Sequence, residues 1–161
     1  MFLGAHRALI DDSYITLDYA RTLAQHGQWA LEPGHQANTA TSPLNVLLLA
    51  GLIVLTGAPV VSVGILLAIT VIVISVALSV ISTRLGHSQW PAVTAVILLV
   101  TNPLLISTIG LETYLGIALI AVLGAAVVTR RPVAVGVVCG LLVLTRADLA
   151  AFALAALIAV T

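Results

Sequence analysis

Long apolar runs separated by short polar breaks make up most of the chain after residue 42. The run from Val60 to Ser82 can cross a bilayer as one helix, since a span needs about 20 apolar residues. Further apolar runs cover residues 90–109, 113–128, 132–145 and 149–161. A kink is expected at Thr101-Asn102-Pro103. The pattern predicts an all-α fold, a polytopic transmembrane helical bundle located in the cell membrane.

Residues 43–56 form a shorter apolar run that ends before Gly57-Ala58-Pro59. About 14 residues are too few for an ordinary span. We therefore interpret this run as a juxtamembrane or re-entrant helix, with Ser42 at the N-cap and Pro43 at the first helical position. Residues 43–161 then form the transmembrane region.

Residues 1–42 are predicted to form an extracytoplasmic loop that carries a surface helix over residues 12–26. Ile15, Tyr19 and Leu23 recur at four-residue spacing, which predicts one buried stripe on this helix. Gly27 suits the end of the helix.

The arginines predict the orientation of the helices. Arg84 lies in one short connection and Arg130-Arg131 in another, and two predicted spans separate them. The positive-inside rule places both connections in the cytoplasm. Glu112 and the Arg146-Ala147-Asp148 turn then face outside, together with residues 11–42 if residues 43–56 do not cross. If they do cross, residues 11–42 share the side of the arginine connections.

Composition supports a membrane protein and narrows its chemistry. Hydrophobic residues make up 61% of the chain and charged residues 7%, with a net charge of zero. No basic patch indicates a nucleic-acid partner. The single cysteine, Cys139, excludes a disulfide within the chain and a cysteine-rich metal site. Three of the six acidic residues fall within residues 11–18, which makes this segment the first candidate for chemistry.

Three motifs resemble those of the GT-C superfamily of polytopic glycosyltransferases. They are Asp11-Asp12 with the following Tyr-Ile-Thr-x-x-Tyr-Ala-Arg, the segment Gly110-Leu111-Glu112-Thr113, and Thr145-Arg146-Ala147-Asp148. The chain is especially similar to actinobacterial arabinofuranosyltransferases and their mannosyltransferase-like relatives. Ala147 and Asp148 stand where those enzymes have Pro and Glu. Because family members have one more helix before the aspartate pair and further spans afterwards, the resemblance implies an N-terminal portion of such an enzyme.

The resemblance implies a sugar transfer from a polyprenyl-phosphate donor to a cell-envelope glycan or protein acceptor. Asp11 would be the general base that takes the proton of the attacking hydroxyl, with Asp12 as its partner. The two carboxylates could instead share a divalent cation; no His or Cys spacing is diagnostic of a metal. Arg146, or else Arg21, would bind the leaving phosphate. Glu112 and Asp148 are the other candidate substrate-binding residues.

Each candidate residue also has a simpler structural interpretation. Asp11 or Asp12 could cap the following helix. Glu112 could mark a helix end at the membrane interface, and Arg146 could pair with Asp148. Arg21 could pair with Asp18 on an exposed helix face. The alternative functions are a non-catalytic membrane subunit or degenerate remnant of such an enzyme and, less favoured, a small transporter. Against transport, no predicted span has an ionisable residue at its centre.

Overall fold

The computed structural model describes residues 11–31 and 41–160, and it is all-helical over these residues. The helices, in chain order, are α1 (Asp11–His26), α2 (Pro43–Thr56), α3 (Pro59–Arg84), α4 (Trp90–Thr101), α5 (Pro103–Ser107), α6 (Thr113–Val128), α7 (Pro132–Thr145) and α8 (Ala150–Val160), with a 3₁₀ turn at Ala147–Leu149. The side chains of Asp11 and Asp12 lie outside what the structure describes, as do residues 1–10 and 32–40 of the predicted extracytoplasmic loop.

Helix α3 is the one described helix that is long and apolar enough to cross a membrane. Its 26 residues span about 39 Å at 1.5 Å per residue, against a bilayer core of about 30 Å. Apart from the five-residue α5, the other apolar helices contain 11–16 residues. One candidate span is a weak indication of a membrane protein, and the predicted multi-pass arrangement stays a prediction.

Prolines start four of the apolar helices. Pro43, Pro59, Pro103 and Pro132 each occupy the first helical position, where the missing N–H costs nothing.

The predicted kink is a full break, because Asn102 is extended and its Oδ1 accepts a hydrogen bond from Leu104 N at 2.9 Å. The asparagine side chain thus caps a new helix. Ser42 is the N-cap of α2 but makes no capping hydrogen bond.

Helix α1 packs on α2 with a different face from the one predicted. Ser13, Leu17 and Ala20 are buried at helical spacing, while Ile15 is 40% exposed. The predicted stripe is therefore wrong at Ile15. Tyr19 is fully buried and packs at a tilt on Trp29, with ring centroids 6.0 Å apart. A small residue such as Ser13 or Ala20 lets the backbones of two helices approach, which hydrophobic periodicity alone does not predict.

Helices α3 and α6 run in parallel and bring their last turns to one end of the molecule. Thr70 and Tyr114 line one small cavity near the start of α6. Further along, Ile81 Cδ1 lies only 3.3 Å from where a Cβ on Gly124 would be. Arg84 and Arg131 consequently line a common cleft.

We call Arg84, Arg130 and Arg131 the arginine end, and Glu112, Arg146 and Asp148 the carboxylate end.

Candidate functional site

An ion pair joins the second and third sequence motifs at the carboxylate end. Arg146 Nη1 lies 3.1 Å from Glu112 Oε1, although the two residues are 34 positions apart. Glu112 directly precedes α6 and Arg146 directly follows α7, so the antiparallel packing of these helices brings them together. The side chain of Glu112 is 9% exposed and that of Arg146 51% exposed. A nearly buried carboxylate therefore holds a half-exposed guanidinium.

Asp148 completes the cluster from the solvent side. Its Oδ1 accepts a hydrogen bond from Arg146 Nε at 3.0 Å, which is the pair that the sequence interpretation expected. This hydrogen bond and the positive charge of Arg146 lower the pKa of the Asp148 carboxyl. The same bond, with the charges of Asp148 and Glu112, raises the pKa of the Arg146 guanidinium. Arg146 therefore keeps its positive charge and Asp148 its negative charge at neutral pH.

Two buried polar side chains fix the backbone that leads to Glu112. Ser13 Oγ donates to the carbonyl of Ile109 at 3.2 Å, and Asn45 Nδ2 donates to the carbonyl of Gly110 at 3.4 Å. Gly110 has φ +96°, a backbone conformation that favours glycine. Helices α1 and α2 thus hold the turn before Glu112 in place.

The first motif reaches the carboxylate end through its backbone. Helix α1 begins at Asp11, two residues before the Ser13 that contacts Ile109. The backbones of Asp11 and Asp12 therefore lie near the turn that carries Glu112. Their carboxylates are not described, so neither the base nor the capping interpretation is tested.

Arg21 does not join this cluster in the described part of the chain. It is exposed on α1 and has no ion pair among the described residues. Asp18 is exposed as well, and the expected pair between the two is not formed. Among the side chains that the structure describes, which do not include those of Asp11 and Asp12, no three of His, Cys, Asp or Glu group as a metal site would require.

Sequence reasoning missed three polar residues near the carboxylate end. Asn45 and Ser13 are the hydrogen-bond donors described above. Tyr114 is 3% exposed, and its hydroxyl has no hydrogen-bond partner in the described residues. A cavity of about 20 Å³ beside Tyr114 has room for one water molecule. An asparagine inside the apolar run of residues 43–56 was the available signal for Asn45, since such a residue needs a polar partner.

Comparison with known proteins identifies no relative of this chain. No family model, no characterised protein and no solved structure matches it.

Proposed function

We propose that the chain is a polytopic membrane glycosyltransferase of the GT-C type, or a fragment of one. It would transfer a sugar from a polyprenyl-phosphate donor to a glycan or protein acceptor at the extracytoplasmic face of the membrane. The observation that carries the proposal is the meeting of three separate motifs at the carboxylate end. Glu112 contacts Arg146 at 3.1 Å, and Ser13, next to the aspartate pair, contacts Ile109 at 3.2 Å.

The proposed reaction needs a base, an acceptor hydroxyl and a stabilised leaving group. The acceptor oxygen forms a bond to the anomeric carbon while the bond from that carbon to the phosphate oxygen breaks. The hydroxyl proton passes to the carboxylate of Asp11, and the electron pair of the broken bond stays on polyprenyl phosphate. Asp12 keeps the base in position, either directly or through a divalent cation.

Arg146 is the proposed phosphate contact. A guanidinium has five N–H donors, and the hydrogen bonds to Glu112 and Asp148 use two of them. Glu112 is buried and would hold the guanidinium in place. Asp148 is exposed, so the phosphate would displace it from Arg146. Moving Asp148 away would reduce the repulsion between its carboxylate and the bound phosphate. Arg21, which is exposed on α1, would contact the substrate only after a further approach of that segment.

The proposal implies several membrane crossings. Helices α6 and α7, with 16 and 14 residues, extend about 24 and 21 Å. Both are shorter than the bilayer core, so these crossings would include residues of the connecting turns or thin the bilayer locally.

A non-catalytic membrane subunit is the second candidate. The specific observation in its favour is that Arg146 already pairs with two carboxylates, an arrangement that stabilises a turn without any ligand. Such a subunit would still lie in the bilayer but would not catalyse sugar transfer. The two candidates differ in the consequence of removing the Asp11 carboxylate.

The test is transfer of a radiolabelled sugar in membranes that contain the protein, with polyprenyl-phosphate arabinofuranose and mannose as separate donors. Asp11→Asn should lower the rate by about 10²–10⁴-fold, because amides do not accept the proton. Asp18→Asn is the matched control on the same helix and should keep the wild-type rate. Asp12→Asn should be milder if Asp12 is only a partner, and equally severe if both carboxylates hold one metal ion.

Two results would contradict the proposal. Wild-type membranes that transfer neither sugar above the background of empty membranes would favour the non-catalytic subunit. Transfer by Asp11→Asn within about threefold of wild type would leave Asp11 as a helix cap, since asparagine caps about as well as aspartate.

A further inference from the structure

An apolar cleft lies between the second half of α3 and the end of α6. Its volume is about 470 Å³, within the range of pockets that bind small ligands. Val76 and Val80 line it from α3, and Val122 and Ala125 line it from α6. The walls offer almost no polar group to a ligand, because the hydroxyl of Thr129 already donates to the carbonyl of Ala125 at 2.6 Å. The cleft therefore suits a hydrocarbon chain.

Two arginines line the same cleft where the helices end. Arg84 occupies the last turn of α3, and Arg131 directly precedes α7. Both are exposed, and neither has a carboxylate partner among the described residues. Their charges repel each other and attract an anion, and a guanidinium binds phosphate oxygens in a bidentate way. An occupant that satisfies the whole cleft combines an apolar chain with an anionic head.

We propose that this cleft is a binding site for an anionic phospholipid, with one acyl chain between α3 and α6 and the phosphate between Arg84 and Arg131. Basic pockets between transmembrane helices suit anionic head groups. Arg84 ends the one described helix that is long enough to span a bilayer, so the arginines would lie at head-group depth. A soluble anion would leave the apolar walls unused, and an apolar helix would leave the arginines unpaired. The proposal is independent of the transferase reaction.

The test measures lipid retention by native mass spectrometry. The purified chain is exposed to an equimolar mixture of phosphatidylglycerol and phosphatidylcholine in detergent, and the bound molecules are counted. Wild type should retain phosphatidylglycerol about tenfold more than phosphatidylcholine, as expected for charge-assisted hydrogen bonds. Arg84→Gln and Arg131→Gln should each reduce this preference to about threefold or less, since each removes one of the two guanidinium groups.

Two further variants separate the site from general effects. Arg130→Gln removes the same charge from the same end without lining this cleft, and it should keep the preference. Ala125→Leu fills the cleft without changing any charge, and it should reduce retention of both lipids. Helix content measured by circular dichroism identifies any variant that has unfolded, and the remaining variants then decide the outcome.

Three results would overturn the proposal. Equal retention of the two lipids by wild type would exclude recognition of the anionic head. If Arg130→Gln and Arg84→Gln reduced the preference for phosphatidylglycerol equally, the total charge of this end, and not the cleft, would select the lipid. Preferential retention of polyprenyl monophosphate, added to the same mixture in a separate experiment, would assign the cleft to a different lipid.

Discussion

The two ends of the helical bundle differ in whether their charged side chains form ion pairs. At the carboxylate end, Arg146 lies between Glu112 and Asp148 at 3.1 and 3.0 Å. At the arginine end, Arg84, Arg130 and Arg131 have no ion pair in the part of the chain that the structure describes. At one end the charged side chains pair with each other, and at the other they depend on solvent, lipid or another molecule for counter-charge.

Two similar turns at the arginine end differ in the residue that adopts the left-handed conformation. Helices α3 and α6 finish with the same turn, in which an N–H bonds five residues back: His87 to the carbonyl of Ser82 at 2.9 Å, and Arg131 to that of Ala126 at 3.0 Å. This turn needs a left-handed residue, which is Gly86 with φ +71° after α3 but Arg130 with φ +54° after α6. A left-handed arginine costs about 1–2 kcal/mol. The arginine end therefore keeps a charge where glycine would be more stable.

The largest expected effect concerns the side of the membrane on which each end lies. In a Cys139→Ala background, single cysteines replace Ala147 at the carboxylate end and Ser88 near the arginine end; both positions are exposed. A membrane-impermeant thiol reagent on intact cells should label position 147 and leave position 88 unlabelled, as the positive-inside rule predicts. Both positions should react after permeabilisation. Labelling of position 88 alone in intact cells would reverse the proposed orientation.

A smaller effect is expected when one arginine is removed from each end. Arg146→Ala leaves the nearly buried Glu112 without its partner, which should lower the free energy of unfolding by about 1–3 kcal/mol. Arg131→Ala removes an exposed charge without a partner among the described residues and should change it by less than about 0.5 kcal/mol. Denaturant unfolding in detergent measures both.

A second substitution separates the ion pair from general packing at Arg146. Adding Glu112→Gln to Arg146→Ala should recover part of the loss, because a neutral amide is less costly to bury than a lone carboxylate. Equal destabilisation by Arg146→Ala and Arg131→Ala would remove the distinction between the two ends.

Much of the helical framework follows from local signals in the sequence. Prolines and charges mark the helix ends, so α2, α6 and α7 have the predicted bounds of residues 43–56, 113–128 and 132–145. The break at Asn102 was predicted only as a kink, because the capping role of its side chain depends on the local backbone. Hydrophobic periodicity failed on α1, where close packing of helices selects small residues.

At the carboxylate end, the local contact could be predicted from the sequence and the long-range contact could not. The pair between Arg146 and Asp148 is local, two residues apart, and was expected. The contact between Arg146 and Glu112 spans 34 positions and depends on how α6 and α7 pack. The positive-inside rule predicted that Arg146 and Glu112 lie on the same side of the membrane, but it did not predict that they are in contact. The role of Asp11 and Asp12 in transfer likewise stays a prediction.

The smallest expected effect is a pH dependence confined to the carboxylate end. Arg146 lowers the pKa of Asp148 below its ordinary value of about 3.9. A carboxyl whose folded-state pKa is lowered stabilises the fold above the unfolded pKa, and this contribution is lost as the pH falls through the folded-state value. Asp148→Asn should therefore be slightly less stable than wild type at pH 7. The difference should shrink below about pH 3.9 and vanish once the pH has passed the lower folded-state pKa.

Thermal unfolding at a series of pH values measures this difference, and the same substitution in an Arg146→Ala background is the control. There the effect of Asp148→Asn should be much smaller at every pH, because the guanidinium is the largest cause of the lowered pKa and only hydrogen bonds from the backbone N–H groups of Asp148 and Leu149 remain. If Asp148→Asn kept its full effect on the stability in the absence of Arg146, the origin of the effect would lie in the 3₁₀ turn itself, where Asp148 precedes α8.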